Sequence, residues 1–166
     1  MFNESTYYGT DGVLTLNVAE GEPGASTVTD YFGESSQVGR LKNVSVYVTM
    51  EVKAFHELGS RAPKELRAGN IHIGGTVERA YINGALLKLM LGDYAENEET
   101  AGFKVPSFTM KVELDNLTPT NEKGNNILEV RDVYFDAWQF NLPEDDFVLE
   151  KLSFKARRVI VKDESI

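Results

Sequence analysis

From residue 43 onward the chain alternates apolar and polar positions in a long, regular run. Val44, Val46, Val48, Met50 and Val52 fall on one side of an extended chain, and Ser45, Tyr47, Thr49, Glu51 and Lys53 on the other. A period of two marks a half-buried β-strand, here of about ten residues. A shorter alternation, "GVLTLNV" at 12–18, predicts an earlier strand, and "GEPGAS" at 21–26 a turn or loop. After Phe55 the pattern breaks over 56–70, then resumes at Ile71, Ile73 and Val77. At 82–91 the period becomes helical. Ile82, Ala85, Leu86, Leu89 and Met90 share a face there, with Asn83 placed to cap the start and Gly92 the end.

The second half returns to strands. Phe108, Met110, Val112 and Leu114 alternate with Thr109, Lys111 and Glu113, and "TPTNEKGNN" at 118–126 reads as a loop. A longer strand over 127–142 slips phase near Tyr134 and Phe135, which predicts a β-bulge. A last strand over 147–161 puts Leu152, Phe154 and Ala156 on one face. About six strands and one helix, without βαβ alternation, predict an antiparallel β-sandwich or barrel with one packed α-helix and an extended loop.

Composition narrows the function. A chain of 166 residues, 42% of them hydrophobic, fits one domain with a sizeable core, here 1–166. Cysteine is absent, which removes disulfides, thiolate nucleophiles and thiolate metal sites. The start has no basic and apolar leader pattern, and the run 85–91 is too short to span a bilayer, so no membrane anchor is expected. The formal net charge of −9 argues against gripping nucleic acid through its phosphates. That charge is unevenly placed. The acidic N-terminal region 1–39 carries six acids and no base, whereas 151–162 carries five bases and no acid. Such polarity fits either two solvated faces or ends that attract head to tail.

No catalytic constellation emerges. His56 falls in the charged segment and His72 on the polar face of a strand, and neither is grouped with a serine or paired carboxylates. The densest acidic run, Glu144, Asp145 and Asp146, follows Pro143 in a turn and fits no Ca²⁺ loop. "GNIHIGG" lacks the strand, glycine loop and helix order of a phosphate cradle, so Gly74 and Gly75 mark a bulge or a close backbone approach. The expectation is a non-enzymatic protein with no cofactor and no metal.

The charged segment 56–70 then becomes the feature to explain, because long connections without regular structure usually serve a function. It carries Arg61, Lys64 and Arg67 against Glu57 and Glu65, a mixture suited to docking on another copy of the chain. A heterologous contact of that kind repeats into rings or filaments.

The order of these features resembles the tail tube proteins of contractile-tailed bacteriophages and related contractile injection systems. The likeness rests on a long strand, the segment "GSRAPKELRAGNIHIGGTVERAYING" and the short apolar helix "ALLKLMLG". The C-terminal half adds "NNILEVRDVYFDAWQFNLPEDDFVLEKLSFKARRVIV", an aromatic-rich strand, an acidic turn and a returning strand. The likeness spans about 40–162 and is weaker over 1–39.

The resemblance implies a subunit of a hollow virion tail tube. Homo-hexameric rings stack, and strands of neighbouring subunits join into one inner barrel. Further partners are a tail sheath protein and the baseplate and tail terminator proteins. DNA passes through the lumen without specific binding, or the tube punctures in a DNA-free particle. Synthesis would be in the host cytoplasm. The residues assigned to inter-subunit contact are Arg61, Lys64, Glu65 and Arg67 in the loop, with Lys53 at the strand end and its neighbour Glu51 as a further choice. Glu51, Glu78 and Glu113, each on a polar strand face, are candidates for lumen-facing charge; the outer surface is the other destination of such faces. The competing reading is a β-sandwich carbohydrate-binding or other interaction module of a virion or cell surface, using Tyr7, Tyr8, Trp138 and Phe140. Core packing is the plainer role for Trp138 and Phe140.

Overall fold

Alternating strands with few helical stretches fold here into β1 (Gly12–Asn17), α1 (Ala25–Phe32), β2 (Leu41–Phe55), β3 (Glu65–Ala80), α2 (Ala85–Leu91), β4 (Phe108–Leu117), β5 (Lys123–Asn141), β6 (Leu149–Ala156) and β7 (Arg158–Asp163). The structure is a computed structural model that describes residues 8, 12–18, 25–33, 36–92, 105–117 and 123–163. The acidic stretch 93–99 and Tyr7 lie outside the described residues.

All strand pairs are antiparallel, in the order β1-β4-β5-β6-β3-β2, with β7 also paired to β5. β5 is the strand that turns the sheet back on itself. Its first part pairs with β4 and β7, up to Val133 opposite Phe108, and its second part pairs with β6 from Tyr134 onward. At the changeover Asp132 takes a left-handed backbone, φ 54°. The register shifts again between Phe135 and Ala137. The phase slip in the sequence is therefore a true bulge, and it lets the two wings of the sheet face each other.

Between the wings lies the core. Leu14 and Leu16 of β1, Phe108 and Met110 of β4 and Val130 and Val133 of β5 pack against Val77 of β3 and Leu152 and Phe154 of β6. Leu86 and Leu89 of α2 and Val28 of α1 close the side. Burial of such a side chain is worth roughly 1.5–3 kcal/mol. Ala85, Leu86 and Leu89 form the buried face of α2, as the period required, but Ile82 precedes the helix and is exposed. The Asn83 side-chain oxygen accepts the Ala85 N–H at 3.1 Å, and the Gly92 N–H donates to the Lys88 carbonyl.

Several elements depart from the sequence reading. Two helices are present among the described residues, not one. α1 escaped notice because Thr27, Val28 and Thr29 are poor helix formers, and it is the packing of Val28 and Phe32 against the core that holds them helical. The expected last strand is two strands. The chain leaves β6 at Arg157, whose N–H donates to the Arg131 carbonyl at 3.2 Å, and crosses to the other wing as β7. β5 begins at Lys123, inside the stretch read as a loop.

The segment 56–70 also divides. β2 pairs with β3 as far as Phe55 opposite Glu65, so only 56–64 connects the strands and the rest is β3. The pairing steps from Met50–Ile71 to Val52–Ala68, which leaves one extra residue in β3 near Gly69 and Asn70. That insertion broke the period of two and hid the strand. Glycine at 74 and 75 answers to close approach, with no register shift there. A Cβ at Gly75 would collide with the Ser45 carbonyl, and one at Gly74 would meet the Phe154 carbonyl at 2.7 Å.

Candidate functional site

The β2–β3 hairpin outruns the sheet that supports it. β3 shares its last rung with β6 at Ile73–Ala156, whereas β2 and β3 stay paired to Phe55–Glu65. Residues 65–72 therefore project about 25 Å beyond the core, at about 3.3 Å per residue. Beyond that rung no other described element pairs with or packs on the hairpin. Val44 and Val46 are half-buried against the core, but Val48, Met50, Val52, Leu66 and Ile71 are between 52% and 63% exposed. The registers Val48–Ile73, Met50–Ile71, Val52–Ala68 and Ala54–Leu66 place these side chains on one face. A strand that begins half-buried thus continues with the same alternation where no core exists. Contiguous apolar surface of this kind, on a long edge strand, marks an interaction surface.

The opposite face of the hairpin is polar. His72 Nε2 lies 3.3 Å from Glu51 Oε1, and Arg67 Nε donates to Glu65 Oε1 at 2.8 Å. At the turn Lys64 Nζ approaches Glu57 Oε2 at 4.0 Å. These pairs are exposed and add little to stability. Lys53 stands directly across from Arg67, like charge against like. Among the described residues, Lys53 and Arg61 make no ion pair. All five residues assigned to inter-subunit contact, Lys53, Arg61, Lys64, Glu65 and Arg67, therefore gather on the outer hairpin, with cations in excess.

The candidates for lumen charge separate. Glu51 and Glu78 share the outward face of the β2–β3–β6 wing, where Glu78 is opposite Lys151. Glu113 sits on β4 in the other wing and pairs with Lys111 at 2.6 Å. The three carboxylates thus lie on two different wings of the sheet. The Glu51 face also carries Lys53, Lys151 and Lys155, so it is not uniformly acidic.

A polar network that sequence reasoning missed lies at the root of the hairpin. Arg79 is 2% exposed and Glu150 fully buried, and Arg79 Nε donates to Glu150 Oε1 at 2.5 Å. Trp138 Nε1 donates to the other carboxylate oxygen at 2.8 Å, and Arg79 also reaches Asn83 Oδ1 at 3.3 Å. The Phe32 ring of α1 lies 5.7 Å from the guanidinium carbon. β3, β5, β6, α1 and the start of α2 are thereby tied together. One signal was available: Arg79 continues the buried phase of Ile73 and Val77, and Glu150 that of Leu152 and Phe154.

His56 and His72 stay apart, and no group of three or more potential metal ligands occurs among the described residues. In the other wing, side-chain hydrogen bonds from Lys162 of β7 and Arg131 of the same strand hold the Glu129 carboxyl down at a pKa of about 2. Trp138 is engaged with Glu150, and Phe140 stacks on Tyr81 with ring centroids 5.5 Å apart. No helix among the described residues is long and apolar enough to cross a membrane.

Solved structures share this arrangement over nearly the whole chain. A chain of the anti-feeding prophage baseplate aligns over 98% of this chain and 97% of its own, with a TM-score of 0.64 at 13% identity. A chain of the PVC sheath–tube complex, an extracellular contractile injection system in the extended state, gives 0.63 at 11% identity over 96% and 93%. The SPP1 tail tube gives 0.62 at 10% identity over 96% of this chain and 80% of that one. The chain has the tail-tube fold. No protein-family model and no curated protein sequence matches it. Identities this low carry the fold alone, so the likeness expected from 40–162 holds at the level of architecture.

Proposed function

We propose that this chain is a structural, non-enzymatic subunit of a hollow tube, in which copies form six-membered rings and the rings stack. The observation that carries the reading is the projecting hairpin, whose apolar face continues the core pattern into solvent. Covering five half-exposed side chains, at roughly half of 1.5–3 kcal/mol each, would contribute about 5 kcal/mol per contact. The free backbone edge of β2 adds hydrogen bonds that only another strand satisfies. Repetition of one such heterologous contact yields a closed ring or an open stack.

The tail-tube fold supports the same reading and extends it to the partners: a sheath around the tube, with baseplate and terminator proteins at its ends. The particle is a virion tail or a DNA-free injection device. For DNA to pass, the wall must not trap phosphates, and the chain's net charge of −9 favours that. Glycan binding through aromatics is disfavoured because Trp138 and Phe140 already have partners within the fold.

The test is a charge placed on the apolar face. Val48→Lys and Ile71→Lys should abolish assembly in sedimentation velocity while leaving the circular dichroism spectrum unchanged. Assembly undiminished in both variants would refute the role given to this face.

A further inference from the structure

We infer that the tip of the β2–β3 hairpin docks into an acidic, aromatic concavity at the opposite end of the same wing on a second copy of the chain. This rests on the reading of the chain as a self-assembling subunit and names the surface that receives the tip.

The two ends of the wing differ in charge. Residues 53–67 hold Lys53, Arg61, Lys64 and Arg67 against Glu57 and Glu65, an excess of two positive charges with His56 neutral. Leu58 at the turn is fully exposed, and Phe55 beside it is exposed too. At the other end β5 turns into β6 through Glu144, Asp145 and Asp146, and 140–150 contain no base. The only carboxylate there with a cation partner among the described residues is Glu150, bound to Arg79.

The acidic end is also shaped to receive a side chain. A concavity of about 490 Å³ opens between the end of β5 and the start of β6, lined by Phe140, Pro143, Phe147, Asp146, Glu78 and Lys151 among others. Phe147 and Leu142 are exposed, and Tyr81 stacks on Phe140 from outside the lining. The walls are fixed in place. The Tyr81 N–H donates to the Val148 carbonyl at 2.9 Å, and Ala80 pairs with Leu149 on the last rung.

β3 carries both ends, the tip at Glu65 and the concavity at Ala80, about 50 Å apart at about 3.3 Å per residue. A basic, apolar knob and an acidic, apolar cup at opposite ends of one strand cannot satisfy each other within a subunit. Between copies they match head to tail and translate each subunit along the strand direction. The charged part of the contact weakens with salt, and the apolar part does not.

Because the chain has no cysteine, adjacency can be read directly. The double variant Leu58→Cys/Phe147→Cys, oxidised after assembly, should give a ladder of covalent oligomers on a non-reducing gel, whereas each single variant should stop at dimers. A double variant without the ladder, although wild-type protein assembles, overturns the docking and leaves the tube reading intact. Wild-type protein that never assembles overturns the tube reading itself. Charge exchange gives an independent arm. Arg61→Glu/Lys64→Glu and Glu144→Lys/Asp145→Lys should each lower pelletable assembly at least tenfold with unchanged melting, and all four together should restore it. Undiminished assembly in either pair, or no recovery in the combination, refutes the contact. Saturable binding of a saccharide at the concavity, lost in Phe147→Ser while assembly persists, would replace the second copy as its occupant.

Discussion

Glu150→Ala should be the most damaging single truncation of a polar side chain in this fold. The carboxylate is fully buried and accepts from Arg79 at 2.5 Å and Trp138 at 2.8 Å. Removing it leaves a guanidinium that is 2% exposed with Asn83 and the Phe32 ring as its remaining partners. Breaking a buried ion pair from one side costs about 3–5 kcal/mol. The orphaned indole N–H adds about 1 kcal/mol. The loss of about 4–6 kcal/mol compares with a total stability of about 5–15 kcal/mol for a domain. At a urea slope of about 2 kcal/mol/M the midpoint should fall by roughly 2–3 M. Trp138 is the sole tryptophan and sits in the network, so its fluorescence reports unfolding, provided the measurement is made where the protein sediments as single subunits. The double variant Arg79→Met/Glu150→Leu replaces both charges with apolar groups and should recover most of the loss. The reasoning fails if Glu150→Ala shifts the midpoint by less than about 0.5 M, or if the double variant is as unstable as the single.

Three further outcomes follow from the geometry. Gly75→Ala should cost about 3 kcal/mol, since its methyl group meets the Ser45 carbonyl and the end of the Phe154 ring, whereas Gly84→Ala, with nothing within 4 Å, should change the melting temperature little. The Glu129 carboxyl falls from 4.5 to about 2 on folding, so its contribution is complete above pH 4.5 and is lost as pH falls toward 2. With half-exposed cationic partners that contribution is about 1 kcal/mol, and the stability gap between wild type and Glu129→Gln should be larger at pH 6 than at pH 2.5 in urea titrations. Raising salt from 0.1 to 1 M should loosen stacks without dissociating contacts made through Val48 and Met50, visible as shorter assemblies in light scattering.

The sequence revealed the alternation of β2, the face of α2 and the bulge in β5, because each leaves a local periodic mark. α1 left none, since Thr27, Val28 and Thr29 become helical only through tertiary packing. The extra residue in β3 erased the period that would have shown the hairpin, and the charge of Arg61, Lys64 and Arg67 made 56–70 look like a loop. The exposure of Val48, Met50 and Val52 was unreadable for a different reason. Their alternation is identical to that of Val44 and Val46, and only the end of β6 at Ala156 decides where the core stops. The Arg79–Glu150 pair was hidden because charge was taken as a sign of solvent, although both residues keep the buried phase of their strands.

The central claim, that copies of this chain build a hollow tube, is tested most directly by negative-stain electron microscopy of concentrated wild-type protein. The account predicts rings or tubes about 100 Å wide with an open centre, the scale of six small domains around a pore. Particles that remain single subunits at every concentration and salt would contradict it.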